Sequence, residues 1–348
     1  MKFNLDNLTR ENIKKLTPYS SARNEYKGKS GIFLDANENS NNDLLYNRYP
    51  DPLQIKLKQK IASLKKLTPE NILIGNGSDE AIDLLFRAFC EPVKDNVIIC
   101  PPTYGMYEVI ANINNINVIY VPLTPDDFQL DVKTILGSIL NSTKLILLCC
   151  PNNPTGNGVK WNDIQTLLIK FKGIVVVDEA YIDFASYKSL ISELKNYPNL
   201  VILQTLSKAW GLAALRLGLA IASPEIISVF NKIKSPYNIS SLSQTLALKV
   251  LNDPKKIIKE IKKLTAARKK LSLAFLDFSF ITKVYPSEAN FVLVKTTNAN
   301  KLYNYLAKNK IIIRNRSNIA MCEDCLRITV GTKEENKLLL TALNNYKS

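Results

Sequence analysis

The sequence predicts an α/β protein: a mostly parallel sheet covered by helices on both faces, followed by a smaller α+β unit. Three features point there. Between about residues 70 and 222, short apolar runs alternate with helical or turn-rich stretches, as in βαβ units. Several runs, such as "KLILLCC" and "GIVVVDEA", are apolar almost throughout, which suits strands buried on both faces. Beyond two long helical stretches at 241–252 and 254–277, three more strand-like runs surround one helical segment.

The elements follow in chain order. Residues 1–30 are polar and irregular, with helix potential at 8–16, and a short strand is expected at "GIFLDANEN". Leu53, Leu57, Ile61 and Leu64 recur at helical spacing over 53–66. The strands of the main sheet are expected at "ENILIG", "NVIIC", "NVIYV", "KLILLCC", "GIVVVDEA", "NLVILQTLS" and "LGLAIAS". The smaller unit is expected to hold "ITKVYPS", "ANFVLVK" and "CLRITVG", with a helix at 299–309. No internal repeat or low-complexity linker interrupts the chain.

Bulk properties exclude several classes of function. The chain has 348 residues, 46% of them hydrophobic, enough for a large core and a second, smaller one. No apolar run is long enough to cross a bilayer, and the start lacks the apolar block of a signal peptide. A soluble, cytoplasmic protein with no membrane partner is expected. Cys322 and Cys325 form the single CxxC, and with no second pair and no histidine a metal site is not expected. The net charge of +15 comes from scattered lysines, as in the pairs at 14–15, 65–66 and 262–263. That describes a solvated surface that attracts anions; no nucleic-acid motif accompanies it. The absence of histidine rules out Ser-His-Asp and Cys-His catalysis and the HExxH hydrolases. A lysine with a lowered pKa becomes the natural proton carrier.

Ligands of open α/β sheets bind beyond the carboxyl ends of the strands, so the residues just after each strand carry the functional signal. Ser78, in "NGSDEA", can cap a helix whose free N–H groups would bind phosphate, although by itself the motif is better explained as an ordinary N-cap. Tyr104, in "PPTYGMY", would stack on a planar ligand or sit in the core. Asn153 lies in the constrained loop "PNNPTGNG". Asp178 ends a strongly apolar strand, where a carboxylate is costly unless something positive meets it, such as a protonated pyridine nitrogen; Tyr181 is three residues on. In "QTLSKAWGLAALRLGLA", Lys208 and Arg216 stand eight residues apart among small and apolar neighbours. A partly desolvated lysine favours its neutral amine, which can form a Schiff base with an aldehyde. Arg216 would grip a phosphate, with Ser207 adding a hydrogen bond. An aldehyde, a pyridine nitrogen and a phosphate together describe pyridoxal 5′-phosphate, whose ring is an electron sink.

The stretches "PNNPTG", "VVDEAY", "TLSKAWGLAALRLG" and "CLRITVGT" resemble the class I/II aminotransferases of the aspartate-aminotransferase-type fold. The resemblance spans essentially the whole chain. Within that superfamily, "LTPYSSARNEYKG", "FLDANEN", "NRYPDP", "GNGSDEAIDLLFRAF" and "IIIRNRSN" resemble the histidinol-phosphate aminotransferases. The resemblance implies a seven-stranded large domain over 37–275, an N-terminal arm with part of the small domain over 1–36, and a small C-terminal domain over 276–348. It implies amino transfer between histidinol phosphate and 2-oxoglutarate, giving glutamate, in histidine biosynthesis. Related activities on the same fold are an aromatic-amino-acid aminotransferase and a phosphothreonine decarboxylase. A cofactor-binding regulator of nucleic acid would need a further domain for which the fold leaves no room.

By the same resemblance, Lys208 bonds the cofactor and shuttles the proton, Asp178 pairs with the pyridine nitrogen, and Tyr181 and Asn153 hydrogen-bond the ring oxygen. Tyr104 stacks on the ring, while Ser78, Asp79, Ser207 and Arg216 form the phosphate cup. Tyr49 would reach the phosphate of a neighbouring subunit, implying a homodimer with a shared active site. Arg327 would hold the substrate carboxylate and Arg314 the substrate phosphate, with Tyr19 and Asn37 lining the same mouth. Arg316 is close to Arg314, and either could be the exposed one.

Overall fold

The computed structural model describes residues 3–20, 25–26, 31–41 and 46–347; the segment 16–28 therefore lies partly outside the described residues. The large unit is built on β1 (Ile72–Asn76), β2 (Asn96–Ile99), β3 (Asn117–Tyr120), β4 (Thr143–Cys149), β5 (Ile174–Asp178), β6 (Leu200–Thr205) and β7 (Leu217–Ile221). They lie in the order β1-β7-β6-β5-β4-β2-β3. β7 runs antiparallel to both its neighbours, β1 and β6, whereas the pairs β3-β2, β2-β4, β4-β5 and β5-β6 are parallel.

Because side chains alternate along a strand, the apolar runs feed two cores. Val175 and Val177 face one side with helices α1 (Ile55–Lys65), α4 (Trp161–Lys170) and α6 (Ser241–Leu251). Ile174 and Val176 face the other with α2 (Ser78–Phe89), α3 (Met106–Ile113) and α5 (Pro224–Ile233). This two-sided cover explains why the strands read as continuous hydrophobic runs.

The small unit carries an antiparallel sheet, β10-β11-β9-β8, from β8 (Ile281–Val284), β9 (Phe291–Thr296), β10 (Arg314–Asn315) and β11 (Cys325–Thr329). Helices α7 (Pro254–Phe275), α8 (Ala299–Lys308) and α9 (Lys333–Asn344) cover it. Leu271 and Phe275 of α7 join this small core, so its packing begins upstream of residue 276. Tyr285, Leu293, Cys322 and Cys325 pack instead into the large unit's core, and Tyr181 and Phe291 meet between the two units.

One expectation changes. No strand forms at 31–39; Ile32 and Leu34 are 91% and 83% exposed, because this stretch finds neither a sheet edge nor a core among the described residues. β10 has only two residues, too few to leave a pattern in the sequence. All six cysteines are buried and free, and no metal-binding cluster occurs among the described residues. No helix among them is long and apolar enough to cross a membrane.

Candidate active site

The expected strand ends meet in one cavity of about 350 Å³. It is lined by Gly77, Ser78, Asp79, Tyr104, Cys149, Asn153, Asp178, Ala180, Tyr181, Thr205, Ser207, Lys208 and Arg216 from the large unit, and by Arg314, Arg316 and Arg327 from the small one.

One end is the amino terminus of α2. Gly77, not Ser78, is the cap residue; Ser78 is already helical and makes no capping hydrogen bond. The reason is conformational, since residue 77 has φ +78°, a region that suits glycine. Its N–H donates to the Arg216 carbonyl at 2.8 Å, and a Cβ on it would stand 2.7 Å from Arg216 Nη2. A guanidinium thus lies against a helix end whose first N–H groups lack intrahelical partners, an arrangement suited to a phosphate. The Tyr104 hydroxyl donates to Asp79 Oδ1 at 3.1 Å, and Asp79 Oδ2 is 4.0 Å from Arg216 Nη2. Burial first, and then Asp79, push the Tyr104 phenol well above its ordinary value, so it stays neutral. The Ser207 N–H donates to Thr205 Oγ1 at 3.1 Å, which fixes the turn leading to Lys208.

Asp178 lies at the floor, 3% exposed. The Tyr107 hydroxyl donates to its Oδ2 at 2.8 Å and the Ala180 N–H to its Oδ1 at 3.0 Å. Burial pushes its pKa up to about 6, against the pull of these two hydrogen bonds and of Lys208, while Asp79 adds to the rise. Lys208 is open to the cavity, with Nζ 5.7 Å from the centre of the Tyr181 ring. The surrounding walls still displace enough water to lower its pKa; Arg327 and Arg216 lower it further, and Asp178 opposes them.

The opposite wall comes from β11. Arg327 Nη1 donates to Asn153 Oδ1, and its guanidinium carbon lies 5.2 Å from the centre of the Phe291 ring. The same ring meets Tyr181 edge-on at 5.2 Å. Asn153 is buried, so the hydrogen bond ties the small unit to the ligand edge of the sheet.

Three expected residues lie outside this cavity. Tyr49 is half exposed, stacked on Tyr237 at 4.5 Å, with its N–H donating to Glu38 Oε1 at 2.6 Å. Asn37 is exposed in a left-handed conformation, φ +54°. Tyr19, expected at the mouth, lines a different cavity with Arg10, Arg87 and Lys232. The helix Glu11–Lys15 buries Ile13, and the Arg10 N–H donates to Ala88 O at 3.0 Å, so the arm is anchored beside α2. Sequence reading missed Tyr107, Thr205, Cys149 and the cavity position of Arg316. Tyr107, three residues after Tyr104, reads in sequence as one more core aromatic.

The sequence model for aminotransferases of class I and II matches residues 22–343. The chain belongs to that family. Among relatives of this aminotransferase, the histidinol-phosphate aminotransferase of Cytophaga hutchinsonii is 52% identical, over 99% of this chain and 100% of its own. That of Parabacteroides distasonis is also 52% identical, over 99% of both chains. Among solved structures, the histidinol-phosphate aminotransferase of Clostridium acetobutylicum is 27% identical with a TM-score of 0.79, covering 86% of this chain and 92% of its own. The Sinorhizobium meliloti enzyme, solved in complex with pyridoxal-5′-phosphate, is 26% identical with a TM-score of 0.79, covering 86% and 82%.

Proposed function

We propose that this aminotransferase moves an amino group between histidinol phosphate and 2-oxoglutarate, with pyridoxal 5′-phosphate as cofactor, in cytoplasmic histidine biosynthesis. The relatives at 52% identity over nearly the full chain support the substrate. One observation carries the chemistry: a single cavity gathers an amine (Lys208), a buried carboxylate (Asp178) and a guanidinium at a helix amino end (Arg216). The space that a Cβ on Gly77 would fill, and a donor set suited to phosphate, fit the cofactor. When bound, pyridoxal phosphate supplies an electrophilic carbon and an electron-withdrawing ring.

The chain's own residues divide the remaining work. Lys208, with its lowered pKa, would be the amine that holds the cofactor and moves the proton at the substrate Cα. Asp178 would accept the hydrogen bond of a protonated ring nitrogen, and its burial would make that pairing strong. Asn153 accepts from Arg327 at its Oδ1, which leaves its amide N–H groups free for the ring oxygen, where Tyr181 would join it. Tyr104 would cover the ring, and Asp79 holds both Tyr104 and Arg216 in place. Ser78, Ser207 and Arg216 take the phosphate, and Arg327 takes the substrate carboxylate. Tyr49 reaches the phosphate site of a second copy, and Tyr19 and Asn37 belong to the substrate mouth. The exposed Ile32 and Leu34 of the arm support a homodimer that covers them.

Borohydride reduction should fix the cofactor to Lys208, and Lys208→Ala should abolish turnover. Retained turnover in that variant would end the proposal. A substrate panel tests the specific reaction: phenylalanine outperforming histidinol phosphate would remove the substrate assignment and leave the class.

A further inference from the structure

Glu80 stands in the first turn of α2, three residues after the cap Gly77. A glutamate at that position ordinarily folds back onto the N–H of the cap residue. Here the Gly77 N–H already donates to the Arg216 carbonyl. The Glu80 side chain reaches one residue further back, and its Oε2 accepts from the Asn76 N–H. Each N–H of the turn into the helix thus has its own partner. Gly75 leaves room for the carboxylate: a Cβ on it would stand 3.3 Å from Glu80 Oε2.

Asn238, in the loop between α5 and α6, clamps the same carboxylate. Its Nδ2 donates to Oε1 and Oε2 of Glu80, at 3.2 and 3.1 Å, and to the Ile74 carbonyl at 3.0 Å. The buried Gln54 orients that amide: its Nε2 donates to Asn238 Oδ1 at 3.2 Å and to the Pro52 carbonyl at 2.8 Å. The adjacent Tyr237 carries the ring that stacks on Tyr49. The end of β1, the turn at 75–77 and the loop at 238 are therefore held together by this pair, and neither Glu80 nor Asn238 lines the cavity.

The sign of the charge makes the arrangement informative. A carboxylate on the first turn of a helix that binds phosphate repels the anion, so by charge alone Glu80 works against the site. Its hydrogen bonds work the other way, because they fix the backbone on which the phosphate would rest. Resting on the cofactor reading above, we propose that Glu80, held by Asn238, is a positioning residue for the cofactor phosphate. It sets the turn at 75–77 so that Gly77 stays against Arg216 and the first N–H groups of α2 stay open to the anion.

The test titrates the cofactor-free full chain with pyridoxal 5′-phosphate and with pyridoxal, which lacks the phosphate, and follows absorbance. Wild type is compared with Glu80→Gln and Asn238→Ala. Glu80→Gln keeps the side chain's shape, removes its charge and sets an N–H against one of its two donors. Loss of repulsion alone predicts tighter binding of pyridoxal phosphate, whereas loss of positioning predicts weaker binding. The dissociation constant for pyridoxal phosphate should rise about 10-fold in both variants, as for one lost hydrogen bond to a charged group, while that for pyridoxal stays within about 2-fold. Melting temperatures establish that each variant is folded; Asn238→Ala, which leaves the carboxylate in place, carries the test if Glu80→Gln does not fold. An unchanged or tighter affinity for pyridoxal phosphate, or an equal loss for both ligands, would overturn the proposal alone. A wild type that binds both ligands equally would overturn the phosphate reading of this end, and the proposal with it.

Discussion

Replacing Tyr107 by phenylalanine removes one hydroxyl and leaves the buried ring in place. That hydroxyl is one of two donors to Asp178, the other being the Ala180 N–H. A hydrogen bond to a charged group is worth about 1.5–3 kcal/mol, equivalent to about one to two pH units in the carboxyl pKa. Asp178 starts near 6, so the variant should titrate at about 7 to 8. At pH 7 the ionised form then falls from about 10:1 in its favour to between about 1:1 and 1:10. The other groups facing Asp178 stay the same: Cys149 on β4, Asp79 on α2, and Lys208. The assay is cofactor affinity against pH, followed by absorbance. Wild type should weaken below about pH 6, as Asp178 takes up a proton and can no longer accept from the ring nitrogen. In Tyr107→Phe the weakening should begin about one to two pH units higher, with the two proteins converging at alkaline pH. A uniform loss at every pH would mean that Tyr107 is packing alone, and an unmoved acid limb would refute the reasoning.

The linkage gives a second reading of the same carboxyl. Its folded pKa lies above the ordinary aspartate value, so the cofactor-free chain gains stability from it at low pH and loses that contribution as pH rises through about 6; urea titrations across that range should show the decline. Gly77→Ala forces a Cβ to within 2.7 Å of Arg216 Nη2 at φ +78°, costing about 1–3 kcal/mol, and should release the cofactor more readily in dialysis. Phe291→Ala removes the buried ring between Tyr181 and Arg327; it should cost about 3–5 kcal/mol in urea unfolding and raise KM for glutamate as Arg327 loses its support.

The main sheet was legible because strands buried on both faces carry their own signature, and all seven of its runs form strands. The ligand edge was legible for the same reason: a polar residue directly after an apolar strand needs an explanation, and Asp178, Asn153 and Lys208 all line the cavity. What stayed hidden depends on long-range geometry. Tyr107 sits on a helix face that reads as core, and only the fold places its hydroxyl 2.8 Å from Asp178. Arg316 and Arg314 look interchangeable in "IIIRNRSN", and only the ladder beyond β10 separates the half-buried one from the exposed one. The stretch 31–39 carries strand-forming residues, but a strand needs an edge to pair with, and no propensity reports whether one is near.

The reversal of β7 has a mechanical consequence. In a sheet whose strands all point one way, only residues that follow a strand reach the ligand edge. An inverted strand also presents there the residue that precedes it, here Arg216, joined to Lys208 by a link of seven residues, 209–215. One short tether therefore sets the span between the reactive end of a bound molecule and its anchored end. Shortening or lengthening it would misfit a rigid ligand at one terminus or the other, while the sheet beneath remained intact.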